Sequence, residues 1–272
     1  MSSNPVVMER LRVSERRLAG LVDGLDEEAL GTASACSAWS VGRVMAHLGS
    51  GAEIALAGLH AGLVGSTESV PAEVTQALWA KYDALGESEA TARSLQANAA
   101  LVDAFEALSP SELADVRVPF FMGPVPVTSF ASFRLAEHVV HTWDVEVTRH
   151  PDVELDPVSA GIILDMVLTP LVGRLARPPR WPAKRVLVRL SDSDAAMTLV
   201  LGDPVTIEDD MPDGGESDGR EPGRPSDAIA IMTTGAFIRL AYGRLDRTRT
   251  PESVGVSGSV SLDELREIFP GF

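Results

Sequence analysis

Within FRLAEHVVHTWDV, residues 133–145, four ionisable side chains fall on one stripe of an otherwise apolar helical segment: Arg134, Glu137, His141 and Asp144. Residues three and four apart share a helix face, so Glu137 and His141 point the same way, inward, beside Phe133 and Val140. A helix of this kind has to be enclosed by other elements. A carboxylate and an imidazole held in that apolar setting are costly unless something positive pairs with them. A metal ion is one such partner, and His47, in AWSVGRVMAHLGSGAE, is a third ligand candidate far upstream.

The rest of the first half supplies the enclosing helices. Val7, Leu11, Leu18, Leu21 and Val22 repeat at three and four, which predicts a helix over about 5–23. GLDEEALGTASACSAWS is a connection in which Ser37 or Ser40 is placed to cap the next helix, expected over about 40–62. Val44, Leu48, Ala52, Ala55 and Leu59 form its buried side, with His47 at the edge. A third helical region spans about 71–108 with a possible break at Gly86, and Pro71 suits a first-turn position. The proline-rich PSELADVRVPFFMGPVPVTS reads as a crossing loop, after which Thr128 or Ser129 caps a fourth helix, about 129–148. Four helices with one long connection make a bundle, and bundles carry metal sites on facing interior side chains.

The pattern changes near residue 150. SAGIILDMVLTPLVGRLA is an apolar helix capped at Asp156 or Pro157, while KRVLVRLSD and AMTLVLGDPVTIE read as two strands joined by the turn SDSD. DDMPDGGESDGREPGRPS has almost nothing to bury and reads as a flexible hairpin loop; a lid over the cleft is the sharper alternative. DAIAIMTT is a strand, GAFIRLAYGRL a short helix, ESVGVSGS a strand and SLDELREIF a closing helix. The expected architecture is therefore a bundle over 1–150 followed by a small α+β domain over 151–272.

Composition narrows the function classes. A net charge of −16 without a local basic patch disfavours nucleic acid. No uncharged apolar run of membrane-spanning length is present, so no membrane partner is expected. The N-terminal MSSNPVVMERLRVSERR carries charges where an export signal needs its apolar core. Cys36 is the only cysteine, which excludes an intrachain disulfide and fits a cytoplasmic location; it reads as structural rather than nucleophilic.

On spacing alone, Glu137 and His141 serve equally well as a buried ion pair with Arg134. The metal reading needs His47 to face them across the bundle. His47, Glu137 and His141 would then form a three-ligand site with an open position. Arg134 and Asp144, one turn away on either side, would orient the ligands. His138, about 100° around the helix from Glu137, competes for the role, and His60 and His150 read as surface residues.

With these residues the chain resembles the mycothiol-dependent maleylpyruvate isomerase family, whose N-terminal domain is a DinB-like metal-binding four-helix bundle. AWSVGRVMAHLGSGAE is similar to the family's tryptophan-led segment ending in a ligand histidine. RLAEHVVHTWDV is similar to its arginine, glutamate, histidine and aspartate series, and GAFIRLAYGR followed by VSGS to its second domain. The resemblance implies His47, Glu137 and His141 as metal ligands. It implies Arg244 as the arginine that faces the cleft between domains and holds an anionic group of the substrate. The C-terminal domain is expected to have a sterol-carrier-like α+β fold.

The chemistry this implies is thiol activation. A divalent metal, with zinc expected before nickel although the donor set also suits iron or cobalt, favours the thiolate of mycothiol or a similar small thiol, whose free pKa is roughly 8.5. Attack of a metal-bound thiolate on a small electrophile makes the protein a thiol S-transferase, the broadest reading. A maleylpyruvate-type cis–trans isomerase is the narrower alternative. Asp144 or His138 would shuttle the proton. Two readings from other classes stand beside these: a metal- or ligand-binding module without turnover, and a metal-dependent hydrolase in which water attacks.

Overall fold

Helix α1 (Asn4–Val22) buries Val7, Leu11, Leu18 and Val22, the positions whose spacing marks it as amphipathic. It belongs to a computed structural model that describes residues 4–36, 38–209 and 225–271. A single turn, α2 (Glu27–Leu30), is capped by the Asp26 side chain and leads into α3 (Val41–Leu63). Ser40 caps α3 by accepting from the Arg43 N–H at 3.0 Å; Ser37 lies outside the described residues. The expected third region divides at Gly86 into α4 (Ala72–Asp83) and α5 (Glu87–Glu106).

The proline-rich crossing is more ordered than a loop. It holds α6 (Pro110–Asp115) and a two-stranded ribbon, β1 (Arg117–Val118) against β2 (Val125–Pro126). Ser109 and Glu112 form a reciprocal capping box that starts α6. The ribbon also corrects the start of α7 (Val127–Glu146), expected at a Thr128 or Ser129 cap. Pro126 ends β2 and is itself the N-cap residue, with φ −55, so the chain passes from strand to helix without a hydroxyl cap. Thr128 lies inside the helix, where its carbonyl accepts from the Ser132 hydroxyl at 2.9 Å.

Helices α1, α3, α5 and α7 form the four-membered bundle: α3 packs on α5 and α7, and α1 on α5 and α7, with α4 set against α3. Helices α3 and α7 run antiparallel. His47 meets Glu137, Leu48 meets Arg134, and Gly58 lies against Phe130. Gly49 allows close approach, since a Cβ there would lie 2.8 Å from the Ser94 Cα on α5. Along α7 only Ser129, Phe133, Glu137 and Glu146 escape full burial.

The chain divides into two compact units, the first ending at Ile162 and the second beginning at Ile163. The segment after His150 goes with the bundle: Trp143 donates to the Val153 carbonyl at 2.8 Å, and α8 (Pro157–Ile163) follows. Asp156 caps α8 by accepting from the Ser159 N–H at 2.9 Å. The second unit opens with a π-helical turn, Leu164–Leu168, and α9 (Thr169–Leu175).

The helix over Pro157–Leu175 is long and apolar enough to cross a membrane, by length and composition alone. It carries Asp165 and Arg174, and its buried residues (Ser159, Ala160, Ile163, Leu164, Val167, Leu168, Leu171, Val172) repeat at three and four, the pattern of a helix with one inward face.

The second unit's sheet has the order β5-β4-β3-β6-β7. Its strands are β3 (Lys184–Leu190), β4 (Ala196–Leu201), β5 (Thr206–Asp209), β6 (Ala228–Met232) and β7 (Gly255–Gly258). Only β3 and β6 pair in parallel. AMTLVLGDPVTIE, expected as one strand, is two: Gly202 to Val205 turn the chain, and Pro204 has no N–H to offer a ladder. Helix α10 (Thr234–Ala241) follows β6, and α11 (Leu262–Ile268) closes the chain behind a second capping box, Ser261 with Glu264. The fold is thus a helical bundle followed by a small mixed α+β unit. The loop expected over 209–226 lies almost wholly outside the described residues.

Candidate metal centre

Helix α3 brings His47, and α7 brings Glu137 and His141, to one point. The His47 Nε2 lies 3.0 Å from Glu137 Oε2, and the His141 Nε2 lies 3.9 Å from the same oxygen. One ligand atom from each of the three falls within 4.8 Å of the others. The side chains of His47 and Glu137 are 32% and 41% exposed, whereas His141 is 9% exposed. The trio therefore sits at a mouth of the bundle and not sealed within it.

His141 is held from behind. Asp144, fully buried, places Oδ2 at 2.9 Å from His141 Nδ1, which fixes the ring and leaves Nε2 facing Glu137. Trp39 stacks on His141 with centroids 5.9 Å apart and 20° between planes, and lies 5.0 Å from the His47 ring. The segment carrying Trp39 is pinned to α7 by the Ala35 N–H, which donates to the Asp144 carbonyl at 2.9 Å. Buried Cys36 also lies here; its sulfur comes within 4.8 Å of ligand atoms of His141 and Asp144. Arg134 donates through Nη2 to the Leu48 carbonyl at 2.6 Å and to Asn98 Oδ1 at 2.7 Å. Its Nη1 passes so close to Gly51 that a Cβ there would lie 2.9 Å away.

The electrostatics favour an anionic Glu137 carboxylate beside a neutral His47 imidazole. Burial pushes the Glu137 carboxyl up, but the His47 hydrogen bond and the electrostatic pull of His141, His47 and Arg134 outweigh it and hold it at about 2. Burial pushes His47 down, with His141 and Arg134 adding to the shift and Glu137 opposing it. Burial also lowers the Arg134 guanidinium to about 10, against the pull of Glu137. Two imidazoles and one carboxylate meeting at a half-open mouth are a donor set that fits a divalent transition ion with positions to spare.

His138 goes elsewhere. It is 1% exposed, and its Nδ1 lies 2.8 Å from Ser14 Oγ on α1 and 3.3 Å from Thr142 Oγ1. Burial, reinforced by Arg134 and His141, lowers it to about 3. Arg244 belongs to the second unit, where it is 7% exposed and donates through Nη1 to the Tyr242 carbonyl at 2.7 Å. The preceding Gly243 has φ +71 and lies against Gly271, so the turn that presents Arg244 has no room for a side chain. His60 and His150 are exposed. Asn98 and the approach of Cys36 were not readable from local spacing, because both depend on which helix and which loop lie next to α7.

A family model described as the mycothiol maleylpyruvate isomerase N-terminal domain matches residues 11–146, half of the chain. Two solved structures resemble the chain over nearly its whole length. The crystal structure of the mycothiol-dependent maleylpyruvate isomerase has a TM-score of 0.67 at 16% identity, with 95% of each chain covered. A histidine-to-alanine mutant of the mycothiol-dependent maleylpyruvate isomerase gives 0.66 at 17%, also with 95% of each covered. At these identities the likeness establishes the fold. No curated protein matches the chain in sequence. The matched span contains His47, Glu137 and His141, and the chain belongs to the mycothiol maleylpyruvate isomerase N-terminal domain family.

Proposed function

We propose that this protein is a mycothiol-dependent enzyme in which the thiol adds to a small electrophile, with cis–trans isomerisation of a maleylpyruvate-type substrate as the leading reading. Family membership and the shared fold support it over the broader S-transferase reading. The observation that carries it is the convergence of His47, Glu137 and His141 at a half-open mouth.

A divalent ion such as zinc or nickel, held by these three residues, would supply the positive charge that favours thiolate over thiol. The other tasks fall to the chain itself. Asp144 accepts the His141 Nδ1–H and so keeps the Nε2 lone pair turned toward the mouth. Asp144 is a positioning residue in this scheme, since it is fully buried. Trp39 stacks on the His141 ring and meets the His47 ring at a tilt, and so packs against both imidazoles. Arg244, through its match to the family's arginine, would hold an anionic substituent of thiol or substrate. His138 stays neutral and bonded to Ser14, a place that suits structural support.

The reaction balances without an oxidant. Sulfur bonds to one alkene carbon while the π pair moves to the conjugated carbonyl oxygen. The resulting single bond rotates, and the pair returns to expel sulfur and restore the double bond in the other geometry. In the S-transferase reading the same enolate takes up the proton lost by the thiol, and the adduct is released.

The test is incubation of zinc- or nickel-loaded protein with mycothiol and maleylpyruvate, alongside a panel of electrophiles, reading isomer ratio and adduct mass. Isomerisation with no lasting adduct supports the leading reading, and stable adducts support the transferase. Turnover without thiol points to a hydrolase. Failure to bind a stoichiometric ion, or wild-type rates in His47→Ala, defeats the proposal.

A further inference from the structure

The maleylpyruvate-type substrate of the leading reading is a dianion, with a carboxylate at each end of its carbon chain. The family resemblance gives one anionic group to Arg244 and leaves the other without a partner. A carboxylate approaching a chain of net charge −16 needs a local cation.

Cations are scarce on the two helices that carry the ligand trio. Helices α3 and α7 have one arginine each and no lysine. Arg134 of α7 is buried and committed to the Leu48 carbonyl and Asn98. Lys81 and Arg93, from the neighbouring helices α4 and α5, are both paired with Glu53 farther along α3.

Arg43 of α3 is placed differently. From Val41 to Ser50 only Arg43 and His47 escape full burial, and one helical turn separates them, so they share the open face of α3. The Arg43 guanidinium lies over the Trp39 ring, 6.0 Å from its centroid. That same ring packs on His47 at 5.0 Å and on His141 at 5.9 Å. One indole therefore contacts both the guanidinium and two of the three ligand candidates.

The present partner of Arg43 is one that a substrate can replace. Arg43 Nη1 is paired with Asp83, the last residue of α4, and the two side chains are 45% and 49% exposed. Ion pairs this open to water are weak. A guanidinium offers two parallel N–H donors to any carboxylate that takes the place of Asp83.

We infer that Arg43 is a second carboxylate-binding residue of the substrate site: it exchanges Asp83 for the far carboxylate of the electrophile and sets a preference for a dianion over a monoanion. The inference rests on the thiol-addition reading for the identity of the substrate. Trp39 fixes where the arginine works, because it packs against the guanidinium and the metal ligands alike. The group that Arg43 holds does not react, so Arg43 acts on binding and takes no part in making or breaking the carbon–sulfur bond.

The experiment has two arms, both on zinc-loaded protein. In the first, isothermal titration compares heptanedioate, a saturated diacid that cannot add thiol, with its monomethyl ester. The diacid is expected to bind about tenfold more tightly, the contribution of one charge-assisted pair at a half-open site. Arg43→Gln removes the difference, Arg43→Lys restores part of it, and Asp83→Asn, which frees the guanidinium, widens it. In the second arm, with mycothiol and maleylpyruvate, Arg43→Gln is expected to raise KM for maleylpyruvate about tenfold, with kcat and the KM for mycothiol held. Equal binding of diacid and ester in the wild type, or a difference that Arg43→Gln leaves intact, overturns the inference even where maleylpyruvate is turned over. An unmoved KM for maleylpyruvate overturns it too. An Arg43-dependent preference for the diacid, with no turnover of maleylpyruvate, upholds the carboxylate site and overturns the thiol-addition reading instead.

Discussion

Two histidines three residues apart on one helix have opposite surroundings. His141 belongs to the stripe of α7 that meets α3, with a carboxylate behind its Nδ1 and another in front of its Nε2. His138 faces α1, where its Nδ1 meets only hydroxyls and its Nε2 has no hydrogen-bond partner among the described residues. Residue type, helix and near-complete burial are common to both. What separates them is angular position: one residue past Glu137 turns a side chain about 100° away from that stripe. A ligand histidine is thus recognised by what holds its other nitrogen and by the stripe it shares, and burial by itself does not identify one.

The largest expected effect breaks the comparison at the ion. A site's binding free energy of ~10 kcal/mol or more is spread over its ligands, so losing one costs about 3 kcal/mol, on the order of 100-fold in affinity. His47→Ala and Glu137→Gln are each expected to lose stoichiometric zinc after dialysis, measured by elemental analysis. His138→Gln is expected to keep it. Loss of the ion in His138→Gln with a folded far-UV spectrum would reverse the assignment of the two faces.

The same contrast should appear in thermal stability. An ion present at 100 times its Kd stabilises the folded state by about 2.7 kcal/mol, a Tm rise of roughly 5–10 °C for a chain of this size. Chelator abolishes the rise in the wild type and in His138→Gln, while His47→Ala shows none to abolish. An equal rise in His47→Ala would mean that the ion binds elsewhere.

How far the sequence reveals this depends on range. Helices α1, α3 and α7 were legible because apolar periodicity is local, and the Ser40 cap because its partner is three residues on. The ligand trio was legible as a face: spacing put Glu137 and His141 together, and His47 at the edge of its own helix. That the two faces meet is a long-range fact, which local spacing left open between a metal site and an ion pair with Arg134. The start of α7 was misplaced because a hydroxyl before an apolar run is a common cap, whereas here the β1–β2 ribbon delivers the chain through Pro126. The Ser109–Glu112 box was present in the sequence but masked by surrounding prolines. The β4–β5 break lay in GDPV, inside a run whose apolar alternation continued on both sides. Cys36 and Asn98 had no local signal at all.

A third test sharpens the comparison from behind His141. Asp144→Asn keeps the shape but removes the charge that favours a protonated Nδ1 and a free Nε2 lone pair. Groups in this position are worth about 10- to 100-fold in metal affinity. Zinc affinity by competition titration is therefore expected to fall by that factor while stoichiometry at saturating zinc is kept. Unchanged affinity would mean that packing against Trp39 alone orients the ring.

The smallest effect lies on the opposite face. Ser14 is 6% exposed, and its hydroxyl is the nearer of the two that meet His138 Nδ1, at 2.8 Å against 3.3 Å for Thr142. Ser14→Ala leaves a buried imidazole with the longer contact alone, a loss of about 1 kcal/mol and a Tm lower by roughly 2–4 °C. Zinc affinity should not move, since Ser14 touches neither a ligand nor a residue that orients one. The converse also holds: because burial keeps His138 neutral, its hydroxyl partners work by satisfying a polar ring in the core, and that role has no ion to stabilise or release. If Ser14→Ala weakened zinc binding as much as Asp144→Asn, the two faces of α7 would be energetically one site, and the distinction between a ligand histidine and a core histidine would fail here.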